Sequence, residues 1–273
     1  MCFTYDAHPP DLPPHFAQHF ADHLPPGLAE HGGASSSEDL VLTSQDGTKF
    51  NAYIVHPGAP NGAGIVILPD VRGLFQFYKE LAERFAVAGV EAIAIDYFGR
   101  TAGLTARDES FEYMPHVMQT QPETVAQDVA AAIARLRGLA HPVRAIFTVG
   151  FCFGGANSFH QAANHQGLSG VIGFYGPPTQ SRRGGPAPID RVKDFECPVL
   201  GLFGGADQGI PVEDVQQFDK ALTEQGVEHE IVIYPDAPHS FFDRHFGQHE
   251  DASADAWNKM LAFIGQHTPR TMA

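Results

Sequence analysis

The strongest constraint on the fold is a rhythm of short apolar runs and helical stretches. "GAGIVILPD" is rich in Ile and Val, "FYKELAERFAVAG" follows with helical spacing, and "VEAIAIDYFG" is again apolar. That is a βαβ unit. The pattern continues through a helix at "ETVAQDVAAAIARLRGL", a strand at "RAIFTVGF", a helix at "ANSFHQAANH" and strands at "GVIGFYG" and "PVLGLFGG". It closes with a helix at "VEDVQQFDKALTEQG", a strand at "EHEIVIYP" and a helix at "ASADAWNKMLAFIGQH". Strands that are apolar throughout, separated by amphipathic helices, predict an α/β fold: a mostly parallel sheet with helices on both faces. "DLVLTS" and "FNAYIVHP" flank the turn residues Gln45, Asp46 and Gly47 and read as an N-terminal hairpin. Residues 1–37, rich in Pro, His, Gly and Ser, read as an extended N-terminal arm with one short candidate helix at "PHFAQHFADHL". Residues 38–273 read as a single domain, with no internal repeat.

Composition narrows the function classes. A chain of 273 residues with 43 % hydrophobic content can bury one large core. Its formal net charge of −15 argues against nucleic acid and anionic membrane surfaces as partners. No segment reads as a leader or a spanning helix, so a cytoplasmic location is expected. Cys2, Cys152 and Cys197 are too few and too scattered for a disulfide framework, and no paired cysteines suggest zinc. The expectation is a monomer or small homo-oligomer that acts on a small molecule with no cofactor and no metal.

In an open parallel sheet, ligands collect at the carboxyl ends of the strands, so the strand tips carry the chemistry. Cys152 follows the strand "AIFTV" in "GFCFGG", a G-x-C-x-G-G pattern. This is the sharp strand-to-helix turn of a nucleophile elbow with sulfur in place of oxygen. A helix beginning near Phe153 would bring unpaired N–H groups to that sulfur and favour a thiolate. "FGGADQGIP" ends another strand with Asp207, which is either an acid partner or a turn residue. "YPDAPHSFFD" then supplies His239 in a loop after a strand. Nucleophile, acid, histidine is the chain order of the α/β-hydrolase fold. The long connection "GRTAGLTARDESFEYMPHVMQTQP" has the length of a binding loop and is expected to border the site.

These segments resemble the dienelactone hydrolase (carboxymethylenebutenolidase) family, a cysteine-dependent branch of the α/β-hydrolases. The likeness is carried by "GFCFGG", "FGGADQGIP", "PHSFFDR" and "VILPDVRGL" with "LAERFAVAGVEAIAIDYFGR". It implies a Cys152, His239 and Asp207 triad that cleaves a lactone or activated ester through a thioester. It also implies a supporting acid, at Asp70 in this chain, where the family often has glutamate. Backbone N–H groups of Val71 and Phe153 are the expected oxyanion hole. The family binds a substrate carboxylate with arginines. Arg244 matches one of these with an extra residue after the histidine, and Arg72 and Arg107 are the other candidates, with Arg100 also in the long loop.

Two alternatives stand beside this reading. One is a broad-specificity carboxylesterase or thioesterase on the same fold; the other is a non-catalytic homologue that binds a ligand or senses oxidants through Cys152. His15, His19 and His23 recur at helical spacing, but no acid or cysteine joins them as a metal set. His160, His165, His245 and His249 read as packing or surface residues, and Cys197 as an inert buried thiol.

Overall fold

The computed structural model describes residues 34–180 and 185–269. The arm up to residue 33, with Cys2 and the three spaced histidines, lies outside the described residues. Eight strands form one sheet: β1 (Ala34–Thr43), β2 (Lys49–Pro57), β3 (Ala63–Leu68), β4 (Glu91–Ile95), β5 (Ala145–Phe151), β6 (Gly170–Phe174), β7 (Val199–Gly204) and β8 (His229–Tyr234). Their spatial order is β1-β2-β4-β3-β5-β6-β7-β8. The hairpin β1–β2 and the β2–β4 pair are antiparallel, and every other neighbouring pair is parallel. The hairpin turn uses Gly47 at φ 84°, with the Gly47 N–H donating to the Ser44 carbonyl at 2.9 Å. β1 begins at Ala34, ahead of the Asp39 at which the sequence pattern changes.

Five helices cover the sheet: α1 (Gln76–Val87), α2 (Pro122–Arg137), α3 (Phe153–Gln161), α4 (Val212–Glu224) and α5 (Glu250–Gln266). The period of two along β3 sorts its side chains to opposite faces. Ile65 and Ile67 join Phe77, Leu81 and Phe85 of α1 and Trp257 of α5 in one core. Val66 and Leu68 join Val125, Val129 and Ile133 of α2 in the other. β3 and β5 are buried along their whole length, which explains why their sequences show no polar alternation. Among the described residues no helix is long and apolar enough to cross a membrane.

The apolar run "VEAIAIDYFG" outlasts its strand, which stops at Ile95. Asp96 ends it: its carboxylate accepts the Phe98 N–H at 3.3 Å and pairs with Arg107 at 2.7 Å. The Arg107 guanidinium also donates to the carbonyls of Thr105 and Gly103, each at 2.8 Å, and lies over the Phe111 ring. The long connection is therefore anchored from within, and it holds two single helical turns, Gly99–Ala102 and Met114–Val117. Phe111 packs on Phe98, and Phe98 stacks on Phe153 with ring centroids 6.4 Å apart, so the connection reaches the residue after Cys152.

α3 carries His160, which is buried, and its pKa is pulled down to about 4 by burial and by the nearby Arg191 charge, against an opposing pull from Asp190. A histidine held neutral on folding stabilises the fold above its unfolded pKa of about 6.5 and withdraws that stability as pH falls toward 4. From pH 7.5 to pH 5 the loss from this residue is about 2 kcal/mol. Urea unfolding at both values should show His160→Gln losing about 2 kcal/mol less than the parent; equal losses would contradict the assignment.

A second expectation concerns Gly154. A Cβ at this position would stand 2.1 Å from the Leu68 carbonyl oxygen and 2.3 Å from that of Pro69, both backbone atoms that cannot rotate away. Gly154→Ala should destabilise the protein by about 3 kcal/mol, at the upper end of overpacking costs. A thermal midpoint equal to the parent's would show that β3 and α3 are not in this contact.

Candidate active site

β3, β5, β6, β7 and β8 end on the same edge of the sheet, and each is followed within a few residues by a side chain of the site. Register places Leu68 beside Gly150 and Phe151 beside Phe174. Asp70, Cys152 and Tyr175 thus emerge from neighbouring strands.

Cys152 sits between β5 and α3 at φ 54° and ψ −113°, a region that L-residues rarely occupy and that costs on the order of 1–3 kcal/mol. Its backbone N–H donates to the Phe174 carbonyl at 3.0 Å, and its own carbonyl accepts the N–H groups of Gly155 and Ala156. The turn is held from both sides, leaving the buried sulfur at the N-terminus of α3. Tyr175 (φ 36°) and Ser240 (φ 59°), the residue after His239, share this strained backbone class. Of the four such non-glycine residues among those described, only His165 lies elsewhere, and concentration of strain at one place marks a functional site.

The loops bearing Asp207 and His239 are pressed together because β7 ends in glycine. A Cβ on Gly204 would lie 2.3 Å from the Ala237 carbonyl oxygen. The Ala206 N–H donates to that same carbonyl at 3.0 Å. His239 Nδ1 meets Asp207 Oδ2 at 2.6 Å, and Asp207 Oδ1 accepts the N–H groups of Gly209 at 2.8 Å and Ile210 at 3.2 Å. Both carboxylate oxygens are engaged, so the acid fixes the ring and its tautomer. Burial alone would lower the His239 pKa, but the nearby Cys152 charge and the hydrogen bond to Asp207 outweigh it and raise the imidazole to about 11. With Nδ1 taken by Asp207, Nε2 is the nitrogen left for the sulfur.

Asp70 is buried behind β3. Its carboxylate receives Arg72 Nη2 at 2.8 Å, Arg72 Nε at 2.9 Å and Arg244 Nη2 at 3.4 Å, and the Arg72 N–H caps its Oδ1 at 2.9 Å. Tyr78 Oη accepts the Asp70 N–H at 2.9 Å, and the Tyr97 hydroxyl donates to the Asp70 carbonyl at 3.0 Å. Val71, next in the chain, is held at the β3 mouth by these bonds. The Gly154 contact with Leu68 and Pro69 brings that mouth against the start of α3, where Phe153 lies. Among the four arginines named from the sequence, Arg72 and Arg244 gather at Asp70, whereas Arg107 is committed to Asp96 and its own loop and Arg100 pairs with Asp46 and Asp128.

Three residues here escaped sequence reasoning. Asp243 is fully buried and faces Asp70, Arg72 and Arg244; burial and the Asp70 charge raise its pKa, against the pull of both arginines. Its only signal was the extra residue between His239 and Arg244. Tyr175 packs its ring 5.0 Å from that of His239, and its position just past β6 could have suggested it. Tyr78 reads in sequence as one more apolar position of α1. The Cys197 thiol is buried and pushed up to about 12, as suits an inert residue. Among the described residues no cluster of three or more His, Cys, Asp or Glu could hold a metal.

Known proteins resemble the chain along most of its length. Residues 50–268 match the model of the dienelactone hydrolase family. A Salmonella typhimurium protein named "Putative carboxymethylenebutenolidase" is 30% identical over 264 residues, covering 93% of this chain and 96% of its own. A protein of the same name from Saccharolobus solfataricus is 25% identical over 261 residues, covering 83% and 98%. The crystal structure named "Putative Dienelactone Hydrolase" from Klebsiella pneumoniae superposes with a TM-score of 0.75 at 27% identity, covering 85% of this chain and 98% of that one. With its sheet order, its bend after β5 and this likeness along most of its length, the chain belongs to the dienelactone hydrolase family, hydrolases of lactone and ester bonds.

Proposed function

We propose that the chain hydrolyses a lactone or activated ester of a small molecule through a thioester on Cys152. The observation that carries this reading is the 2.6 Å contact of His239 Nδ1 with Asp207 Oδ2, on a buried ring whose Nε2 has no hydrogen-bond partner of its own. The nearby Cys152 charge and the Asp207 contact raise the affinity of His239 for a proton, as suits the group that takes the proton of the thiol.

The Cys152 thiolate attacks the carbonyl carbon, and the oxygen's developing charge is met by the N–H groups of Val71 and Phe153. Collapse forms the C–S bond fully and breaks the C–O bond, while His239 Nε2 gives its proton to the departing oxygen. Water then attacks the thioester, returns a proton to His239 Nε2, and releases the acid with regeneration of the thiolate. Asp207 holds the ring throughout, and Asp70 supports the site by holding Arg72 and Arg244, whose proposed task is to meet polar groups of the substrate. A thiolate leaves as readily as it attacks, so good leaving groups such as enolates suit it and ordinary amides do not.

Cys152→Ala should abolish hydrolysis of a p-nitrophenyl ester while shifting the thermal midpoint little; retained turnover would remove Cys152 from the mechanism. Asp207→Asn should lower kcat by at least about a hundredfold, because the ring loses the carboxylate that selects its tautomer. A loss confined to KM would instead assign Asp207 to substrate binding.

A further inference from the structure

β6 ends against the turn that carries Cys152. The Phe174 carbonyl accepts the Cys152 N–H at 3.0 Å. A Cβ on Gly155 would lie 2.6 Å from that same oxygen, and one on Gly176 would lie 2.4 Å from the Ala156 nitrogen. The chain on both sides of Tyr175 is therefore closed onto the first turn of α3, with no room for side chains between them. Tyr175 is also tied to β7, its N–H donating to the Leu202 carbonyl at 2.8 Å. Its backbone is fixed relative to the nucleophile.

The side chain leaves this fixed backbone in a strained direction. The alternation of a strand would send Tyr175 to the face opposite Phe174, but at φ 36° it departs from that pattern and the two rings stand 5.9 Å apart. The ring is thereby delivered to a place between the two reacting side chains. It lies 6.3 Å from the ring of Phe151, which precedes Cys152, 5.0 Å from that of His239, and 5.6 Å from that of Phe241 in the histidine's loop. Tyr175 is fully buried, yet its hydroxyl has no hydrogen-bond partner. An unpaired hydroxyl gives the ring no directed bond, so packing alone holds it in place. Backbone strain of this kind persists where a function depends on the placement it produces.

We propose that Tyr175 is a positioning residue: its backbone, fixed to the Cys152 turn, and its ring, packed against the His239 imidazole, set the separation of the sulfur and Nε2. Asp207 holds the imidazole at Nδ1 by one hydrogen bond, about which the ring could still swing. The tyrosine ring removes that freedom. The kinetic consequence rests on the proposed hydrolysis, whereas the placement of the imidazole beside the thiol needs no reaction.

The test compares Tyr175→Leu with Tyr175→Phe, by turnover of a p-nitrophenyl ester and by alkylation of Cys152 with iodoacetamide, read by mass spectrometry on the peptide containing Cys152. Tyr175→Leu should lower kcat about a hundredfold with KM within about threefold of the parent's, the loss expected when reacting groups are displaced by an ångström. Tyr175→Phe keeps the ring and should rescue kcat to within about threefold of the parent's without lowering the thermal midpoint, because the hydroxyl it removes has no partner. The alkylation rate at pH 6.5 relative to that at pH 9.5 should fall about tenfold in Tyr175→Leu, since a displaced imidazole no longer takes the proton of the thiol. A merely looser core would leave this ratio unchanged. An unchanged kcat or an unchanged alkylation ratio in folded Tyr175→Leu overturns the proposal. So does a loss confined to KM, or an equal loss in Tyr175→Phe, which would assign the role to the hydroxyl. Should Leu prevent folding, Tyr175→Met, whose pliable chain fills the space without a flat ring, carries the same expectations. If the alkylation ratio falls as expected but the parent hydrolyses no ester, the proposed reaction is contradicted and the positioning stands.

Discussion

The approach of α3 to the end of β3 is the contact on which the site depends. Gly154 lies against the carbonyls of Leu68 and Pro69 so closely that no side chain fits between them. That contact forces the sharp turn at Cys152 and sets Phe153 against the segment carrying Asp70 and Val71. A longer connection would relieve the strain at φ 54° but would let the sulfur swing away from the sheet edge. The energy stored in the turn is small beside the burial of both sheet faces, which is why the fold can sustain it.

Rigid neighbours solve the same problem at the other side of the site. Gly204 against the Ala237 carbonyl sets the distance between the Asp207 and His239 loops, and the acid is then locked by two backbone N–H groups. The histidine is thereby placed by backbone packing more than by its own side-chain preferences. Placement by packing suits a proton carrier, because a shift of an ångström would uncouple it from the sulfur.

Much of the architecture is legible in the sequence because parallel strands buried on both faces cannot hide: "GIVIL" lacks polar residues altogether, and "AIFTV" has only Thr148, whose buried hydroxyl pairs with that of Ser158. The elbow is legible for a related reason, since only glycines allow the approach of β3, β5 and α3, and the glycines stand in the text around Cys152. The buried charge cluster is less so. Asp243 gains its meaning from Asp70 and Arg72, more than 170 positions away in the chain, and Tyr175 from His239, 64 positions away, and no local pattern announces a carboxylate that faces a second carboxylate across two arginines. Arg107 shows the converse. Its position in the long connection suggests a reach toward substrate, but the end of β4 at Asp96 supplies a buried counter-ion first, and the guanidinium closes the loop on itself.

Covalent chemistry at the sulfur is open to direct observation. Mixing the protein with excess p-nitrophenyl ester and quenching within the first turnover should give a burst of one p-nitrophenol per chain, with the acyl group attached to the peptide containing Cys152 by intact-protein and peptide mass spectrometry. Steady turnover with no acyl group on Cys152 at any quench time would contradict the thioester route.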